Sequence, residues 1–303
     1  MMEHIDFHIS YRCPNKCLFC SSADSIKKCR NHPLKAEDIL QKLKKNKKNG
    51  FRSVNFTGGE PTILPFFPSL VKETKRLGYR IYIGTNGGRF ENRRFSLETA
   101  PFLDEVCFSC HGHTPGIHNF LTANKIAFKR LNKAMDNLSK FSIRFSSNTV
   151  VTKFNIDCLE KALNFVIERQ IKQALISNLA PEGRGFANYD KLAVRLSDLK
   201  NKIPALIKMA NKNNIIIRFF GLPACVLGGF ACYSNDFCWD GRLNIEQEKN
   251  KIFFLKEERC LLPIRGRIKT AKCRSCLYGK ICGGIFEEYF KRFGDEELLP
   301  FRR

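Results

Sequence analysis

The residues with the most chemistry in this chain are its cysteines. The tightest group is Cys13-Pro14-Asn15-Lys16-Cys17-Leu18-Phe19-Cys20, a CxxxCxxC run placed directly after the alternating segment His4 to Tyr11, which reads as a strand. The number of thiols matters. A structural zinc site closes its tetrahedron with four protein ligands, whereas three thiolates on an iron-sulfur cubane leave one iron free to take a ligand from a small molecule. Thiolates suit iron-sulfur clusters as well as zinc. A second segment, Phe56-Thr57-Gly58-Gly59-Glu60-Pro61-Thr62, ends the next strand. Gly58 and Gly59 there let the backbone come close to a ligand, and the edge carbonyl and Glu60 can accept hydrogen bonds from an ammonium group. Seven of the 14 cysteines lie further on, at Cys225, Cys232, Cys238, Cys260, Cys273, Cys276 and Cys282.

The elements that must position these groups follow from periodicity. Strands are expected at His4 to Tyr11, Ser53 to Thr57, Arg80 to Gly84, Glu105 to Ser109, Ser142 to Thr152 and Gln173 to Ser177. Helices are expected between them at Ala36 to Lys48, Phe66 to Leu77, Ile126 to Leu138 and Cys158 to Glu168, with a last long one from Tyr189 to Asn213, broken near Pro204. Strands alternating with helices of this length imply a parallel sheet with right-handed crossovers. The fold class is therefore α/β, a partial (β/α)6 TIM-like barrel, and the loops after its strands are where sites sit in such architectures. Past the strand Ile215 to Phe220 the helical periodicity fades and cysteines crowd. A boundary near Asn214 divides the chain into residues 1–214, the core domain, and 215–303, a small cysteine-rich module. The tail Gly294 to Arg303 reads as a surface strap or frayed end.

Composition narrows the class. The chain has 303 residues, of which 43% are hydrophobic and 12% aromatic, and its mean hydropathy is -0.28, which excludes a disordered or fibrous chain. Its longest apolar stretches, such as Ile215 to Ile217, fall far short of the about 20 residues that span a bilayer, so no membrane segment is expected. The start MMEHIDFHIS lacks the order of a secretory signal, so the expected address is cytoplasmic, where cysteines stay reduced and metal ligation is the better reading of them. The net charge of +23 suits a phosphate-rich partner, but its lysines are scattered along expected helices, and a nucleic-acid partner is not favoured.

Taken together, the CxxxCxxC run and the Gly58-Gly59-Glu60 turn resemble the radical S-adenosylmethionine (SAM) enzymes over roughly residues 4–215. The resemblance implies that Cys13, Cys17 and Cys20 hold a [4Fe-4S] cluster whose fourth iron takes the amino and carboxylate groups of SAM. It also implies that Gly58, Gly59 and Glu60 bind the SAM amino group. Thr85-Asn86-Gly87 looks like the family's third-strand turn, Ser109 like the fourth-strand serine that touches the SAM ribose, and Asn148 like a fifth-strand position near SAM, with Asn155 a weaker candidate. The reading of each as a plain turn cap stays open. Pro181 to Gly185 either lines the substrate mouth or forms a left-handed turn. Cys107 to His111 matches the CxxCH of c-type haem attachment, but on a strand its two cysteines point to opposite faces and haem is rejected. Cys107 is expected buried, Cys110, His111 and His113 at the edge of the site, and Cys29 and Cys158 as ordinary thiols.

The run Cys273-x2-Cys276-x5-Cys282 resembles the SPASM and twitch extensions that carry auxiliary clusters in this family. It departs from the full SPASM pattern, because Phe286 stands where a further cysteine is expected. The resemblance implies an auxiliary [4Fe-4S] cluster on Cys273, Cys276 and Cys282, with Cys225 as the first choice for fourth ligand and zinc as the alternative. Cys232, Cys238 and Cys260 are spare. The implied activity is reductive cleavage of SAM to a 5′-deoxyadenosyl radical that abstracts hydrogen from a substrate, with flavodoxin or ferredoxin as reductant. A peptide or protein is the favoured substrate, as in maturases. Small-metabolite or cofactor biosynthesis, RNA modification and a non-catalytic electron carrier are the alternatives.

Overall fold

The computed structural model describes residues 3–302. Its main sheet has nine strands in the order β7-β6-β5-β4-β3-β2-β1-β8-β9. The strands are His4–Ser10 (β1), Ser53–Gly58 (β2), Arg80–Thr85 (β3), Glu105–Ser109 (β4), Arg144–Val150 (β5), Gln173–Ser177 (β6), Ile216–Phe220 (β7), Arg242–Asn250 (β8) and Ile252–Cys260 (β9). β1 to β7 run parallel in sequence order, which is a half-barrel. β8 adds beside β1 in the same direction, and β9 returns antiparallel. A two-stranded ribbon pairs Arg267–Ile268 (β10) with Ile285–Phe286 (β11).

The helices are Ala23–Cys29 (α1), Ala36–Lys48 (α2), Phe67–Arg76 (α3), Arg93–Thr99 (α4), Pro115–Thr122 (α5), Ala127–Leu138 (α6), Leu159–Glu168 (α7), Gly183–Ala187 (α8), Tyr189–Leu192 (α9), Leu196–Lys212 (α10), Ala224–Leu227 (α11) and Glu287–Phe293 (α12). The break in the expected long helix falls at Ala193 to Arg195. There the Tyr289 hydroxyl accepts from the Leu196 N–H (2.9 Å), which starts a new helix, while Pro204 is carried inside α10.

A parallel sheet covered on both faces ordinarily reads as continuous apolar runs. Here the strands alternate. Ile5, Phe7, Val54, Phe56, Ile81, Ile83, Val106 and Phe108 are fully buried in the core shared with the helices, each stabilising the fold by about 1.5–3 kcal/mol. The intervening His4, Asn55, Tyr82, Glu105, Cys107, Ser109 and Gln173 instead line a cavity inside the half-barrel. One face of the sheet holds the fold together and the other encloses a polar chamber.

The division near Asn214 does not cut the sheet, since β7, β8 and β9 all come from beyond it. The open side between β7 and β8 is walled by residues 221–241. Phe219 bridges to Ser234, and the Phe220 ring stacks on Trp239 at 6.5 Å between centroids. The staple of this segment is Arg267, which is buried and makes a bidentate pair with Asp236 (2.9 and 2.8 Å) while donating to Gly284 O and Pro263 O. Asp236 Oδ2 also accepts from Gly283 N–H (2.9 Å). Removing one member of such a pair leaves a buried charge alone. Asp236→Ala should therefore cost about 3–5 kcal/mol in urea unfolding of the anaerobic protein, and a loss under 1 kcal/mol would refute the assignment.

Candidate active site

The cysteine loop leaves β1 and is held by backbone bonds on three sides. Gly59 N–H donates to Ser10 O (2.6 Å) and Glu60 N–H to Arg12 O (2.8 Å). At the end of α5, Thr122 O accepts from Lys16 N–H (3.0 Å) and Leu121 O from Leu18 N–H (2.9 Å). From α8, Arg184 donates through N–H to Cys20 O (3.0 Å) and through Nε to Cys17 O (2.8 Å). The loop's shape is thus fixed independently of anything bound to its thiols. Gly183 and Gly185 make the third contact possible, because a Cβ at Gly183 would stand 2.6 Å from Cys20 O and one at Gly185 2.4 Å from Ala180 O. Of the two readings of Pro181 to Gly185, neither anticipated this clamp on the cysteine loop. The signal that could have found it is the Gly-Arg-Gly triplet.

Cys13, Cys17 and Cys20 line one end of the chamber, a cavity of about 680 Å³ that also reaches Gly58, Gly59, Thr85, Asn86, Ser109, His111 and Asn148. Burial pushes the Cys13 and Cys17 thiols up to about 12 and Cys20 in the same direction, while Arg184 opposes the rise at all three. Iron binding must displace their protons. Among the described residues no three His, Cys, Asp or Glu side chains stand close enough to share one metal ion. The donor set, three half-buried thiols facing a roomy cavity beside a cationic Arg184, fits a cluster.

Gly58 and Gly59 border the cavity as expected, yet a protein contact already demands glycine at both. A Cβ would lie 2.4 Å from Ser10 O at Gly58, whose φ is +116°, and 2.3 Å from Arg12 O at Gly59. Glu60 departs from the expectation. Its carboxylate is buried behind the turn and is absent from the cavity wall. Oε1 accepts from Thr62 N–H (3.2 Å), Thr62 Oγ1 (2.6 Å) and Thr85 Oγ1 (2.8 Å), and Oε2 from Asn86 N–H (2.8 Å). Burial pushes its pKa up, and these hydrogen bonds pull the other way. With every oxygen engaged, the side chain ties β2 to β3, and only edge carbonyls remain to receive an ammonium group. Asn86, held in this way, donates from Nδ2 to Cys13 Sγ (3.4 Å).

Ser109 and Asn148 face the chamber, and Ser177 Oγ donates to Asn148 Oδ1 (2.7 Å). Asn155 does not face it. Its Oδ1 accepts from Thr152 N–H (2.7 Å) and its Nδ2 donates to His111 O and Val150 O, so it caps the turn after β5. Cys107, expected to be buried, lines the chamber, whereas Cys110 is fully buried. His111 lies at the edge of the chamber with its ring 4.5 Å from Phe19.

The C-terminal cysteines separate into two groups. Cys225, Cys273, Cys276 and Cys282 share a second, smaller cavity with Pro223, Gly279 and Leu298. Burial pushes Cys225 up to about 11, with the three neighbouring thiols adding to the rise. Cys282 Sγ accepts from Ala224 N–H and Gly284 N–H (both 3.4 Å). The tail is a strap over this cavity, with Leu298 buried and Phe301 O accepting from Leu277 N–H (3.0 Å). Cys232 and Cys238 are exposed, and Cys260 lies outside both cavities. Glu60→Gln, which sets an amide NH2 donor against groups that already donate to this side chain, should lower stability by about 1–3 kcal/mol and reduce iron retained per chain. Lost SAM affinity with stability unchanged would instead mean that the side chain binds SAM directly.

The sequence profile of the radical SAM superfamily matches residues 7–166, the stretch that carries the cysteine loop and both turns. The S-adenosylmethionine-dependent nucleotide dehydratase of Flammeovirga pacifica is 26% identical over 202 residues, 64% of this chain and 69% of its own. A probable GTP 3',8-cyclase of Sulfolobus acidocaldarius is 25% identical over 290 residues, 91% of this chain and 82% of its own. Among solved structures, Streptococcus suis SuiB bound to S-adenosylmethionine covers 100% of this chain and 76% of its own, with a TM-score of 0.67 at 18% identity. In the structure of SuiB with its precursor peptide SuiA the match covers 73% of this chain and 48% of that one, with a TM-score of 0.58 at 20% identity, so the chain spans about half of that length. The profile match and the shared fold agree with the geometry of the cysteine loop: the chain belongs to the radical SAM superfamily and is an enzyme of a [4Fe-4S] cluster and S-adenosylmethionine.

Proposed function

We propose that Cys13, Cys17 and Cys20 hold the SAM-binding cluster, that Cys225, Cys273, Cys276 and Cys282 hold an auxiliary [4Fe-4S] cluster, and that the substrate is a peptide whose reacting residue enters the chamber. The observation that carries this is the continuity of one polar cavity from the cysteine loop down the interior of the half-barrel. When bound, cluster and SAM supply reductive cleavage to a hydrogen-abstracting 5′-deoxyadenosyl radical, with an electron from a carrier such as flavodoxin or ferredoxin.

The chain's own residues do the rest. Arg184 sets positive charge beside Cys17 and Cys20, and Asn86 donates to Cys13 Sγ, both of which favour electron-rich sulfur. The edge carbonyls of the Gly58-Gly59 turn receive the SAM ammonium, and Ser109 and Asn148 offer hydrogen bonds to the bound nucleoside. The strands fix the substrate against that position, and the Phe220-Trp239 wall keeps water from the open side. The auxiliary-type cysteine grouping and the fold shared with peptide-bound SuiB support the peptide. A nucleotide or related metabolite is the second reading, supported by the two curated relatives named for nucleotide chemistry. RNA has only the net charge behind it, and exposed lysines such as Lys44, Lys45 and Lys48 of α2 do not line the chamber.

Reconstituted anaerobically, the enzyme should carry about eight irons per chain, consistent with two four-iron clusters. Cys17→Ala should keep about four irons and lose both the SAM-perturbed EPR signal and 5′-deoxyadenosine. Full deoxyadenosine production by that variant would overturn the assignment. Cys276→Ala should keep the SAM-perturbed signal and lose the other cluster, and an unchanged iron count would remove the auxiliary cluster from the proposal.

A further inference from the structure

At the open side of the chamber a cation stands with half of its binding capacity unused. Arg242 opens β8 opposite His4 of β1, and its guanidinium carbon stands over the Trp239 ring, 3.9 Å from the centroid. Trp239 is itself braced by Phe220 and donates from its indole N–H to Cys260 O (3.4 Å). The pairing of Arg242 with Asp6 Oδ2 (2.9 Å) uses Nη1 alone. Asp6 is held in turn by Asn55 Nδ2 (2.9 Å) on β2. That leaves the edge formed by Nε and Nη2, and Nε is buried with no hydrogen-bond partner.

A buried donor left unpaired is costly, and a planar guanidinium already stacked and tethered has lost the freedom that binding would otherwise remove. The Nε–Nη2 edge is the one that pairs a carboxylate or phosphate through two parallel hydrogen bonds, and a ligand in the chamber would meet Nη2 first because Nε is enclosed. The chamber wall decides between them. Glu105 lines the same cavity and Asp6 lies behind Arg242, so a dianionic phosphate would meet more repulsion than a monoanion. Position agrees as well. Asn55, level with Asp6, lies three residues below Gly58 on β2, or about 10 Å at ~3.3 Å per residue, which leaves room for a reacting carbon between the anion and the SAM end.

We propose that Arg242, stacked on Trp239 and anchored by Asp6, is the substrate-binding residue that takes a carboxylate of the substrate. The proposal rests on the chamber being the substrate site and deepens the peptide reading to an acidic residue or a free C-terminus near the reacting carbon. Trp239 is the chain's single tryptophan, so its emission reports on this contact. The test titrates the reconstituted holoenzyme with capped Ala-Glu-Ala, capped Ala-Gln-Ala and inorganic phosphate, following Trp239 fluorescence. The glutamate peptide should give a saturable change that the glutamine peptide lacks. Arg242→Gln should weaken it by about tenfold or more, and Arg242→Lys, which keeps the charge and the tether but not the fork, should also weaken it. Equal binding of both peptides, or Arg242→Lys binding as wild type does, would overturn the proposal. Tighter binding of phosphate would overturn the carboxylate in favour of a phosphorylated substrate. No turnover is needed for this readout, so an enzyme that releases no deoxyadenosine would refute the functional reading and leave the binding result to be judged alone.

Discussion

The structure depends on one close approach, that of the Ser10 to Arg12 backbone to the Gly58 to Glu60 backbone. Two hydrogen bonds hold it, and side chains at Gly58 or Gly59 would fill it. This contact fixes where the cysteine loop begins. Because Glu60 lies in the same turn and buries its carboxylate against Thr62, Thr85 and Asn86, it also fixes where the third-strand turn lies. Two glycines and an acid thus align three consecutive strand ends before any cofactor is bound. Backbone bonds to carbonyls of the loop, from α5 and α8, then leave the three thiols as the free part of an otherwise determined segment.

The same economy shapes the sheet. In a closed barrel the interior is filled by layers of branched side chains. Here many interior positions are His, Asn, Tyr, Glu, Cys, Ser and Gln, with Leu175 among them, so the fully buried core lies mainly on the outer face and the inner face encloses the cavity. A chamber of that kind needs a wall on its open side. The segment after β7 supplies it with an aromatic stack, and the hairpin of β8 and β9 supplies it with a strand beside β1.

Much of this was legible in the sequence. α2, β4 and β6 fall where periodicity places them, because alternation and 3.6-residue spacing are local properties. The cysteine loop was legible because thiol spacing is a chemical constraint that few other needs impose. Cys225, distant in sequence, lines one cavity with Cys273, Cys276 and Cys282. The role of Glu60 was not legible, since an acid after two glycines reads equally as a ligand contact and as a cap, and the choice depends on Thr85 and Asn86, 25 and 26 residues away. β8 was hidden because only Leu243 and Ile245 among its nine residues are apolar, too short an alternation to stand out, and because its partner is β1, at the other end of the chain. Pro204 misled for a physical reason as well. A proline removes one hydrogen bond and weakens a helix, but the actual break is set by Tyr289, which the sequence places far downstream.

The wall of the chamber and the second cysteine group are parts of one rigid piece. Asp236 accepts from Gly283, the residue after Cys282, and pairs with Arg267. Three residues later Trp239 faces the chamber, and six residues later Arg242 does. Arg267 also donates to Gly284 O, whose N–H reaches Cys282 Sγ. Cys282 is therefore linked through hydrogen bonds at Gly283 and Gly284 to the loop that carries Trp239. The segment that holds the C-terminal cysteines in place also shapes the wall of the chamber. A division into a core and a separate cysteine-rich module misses this, since the sheet runs through the boundary and the wall belongs to both.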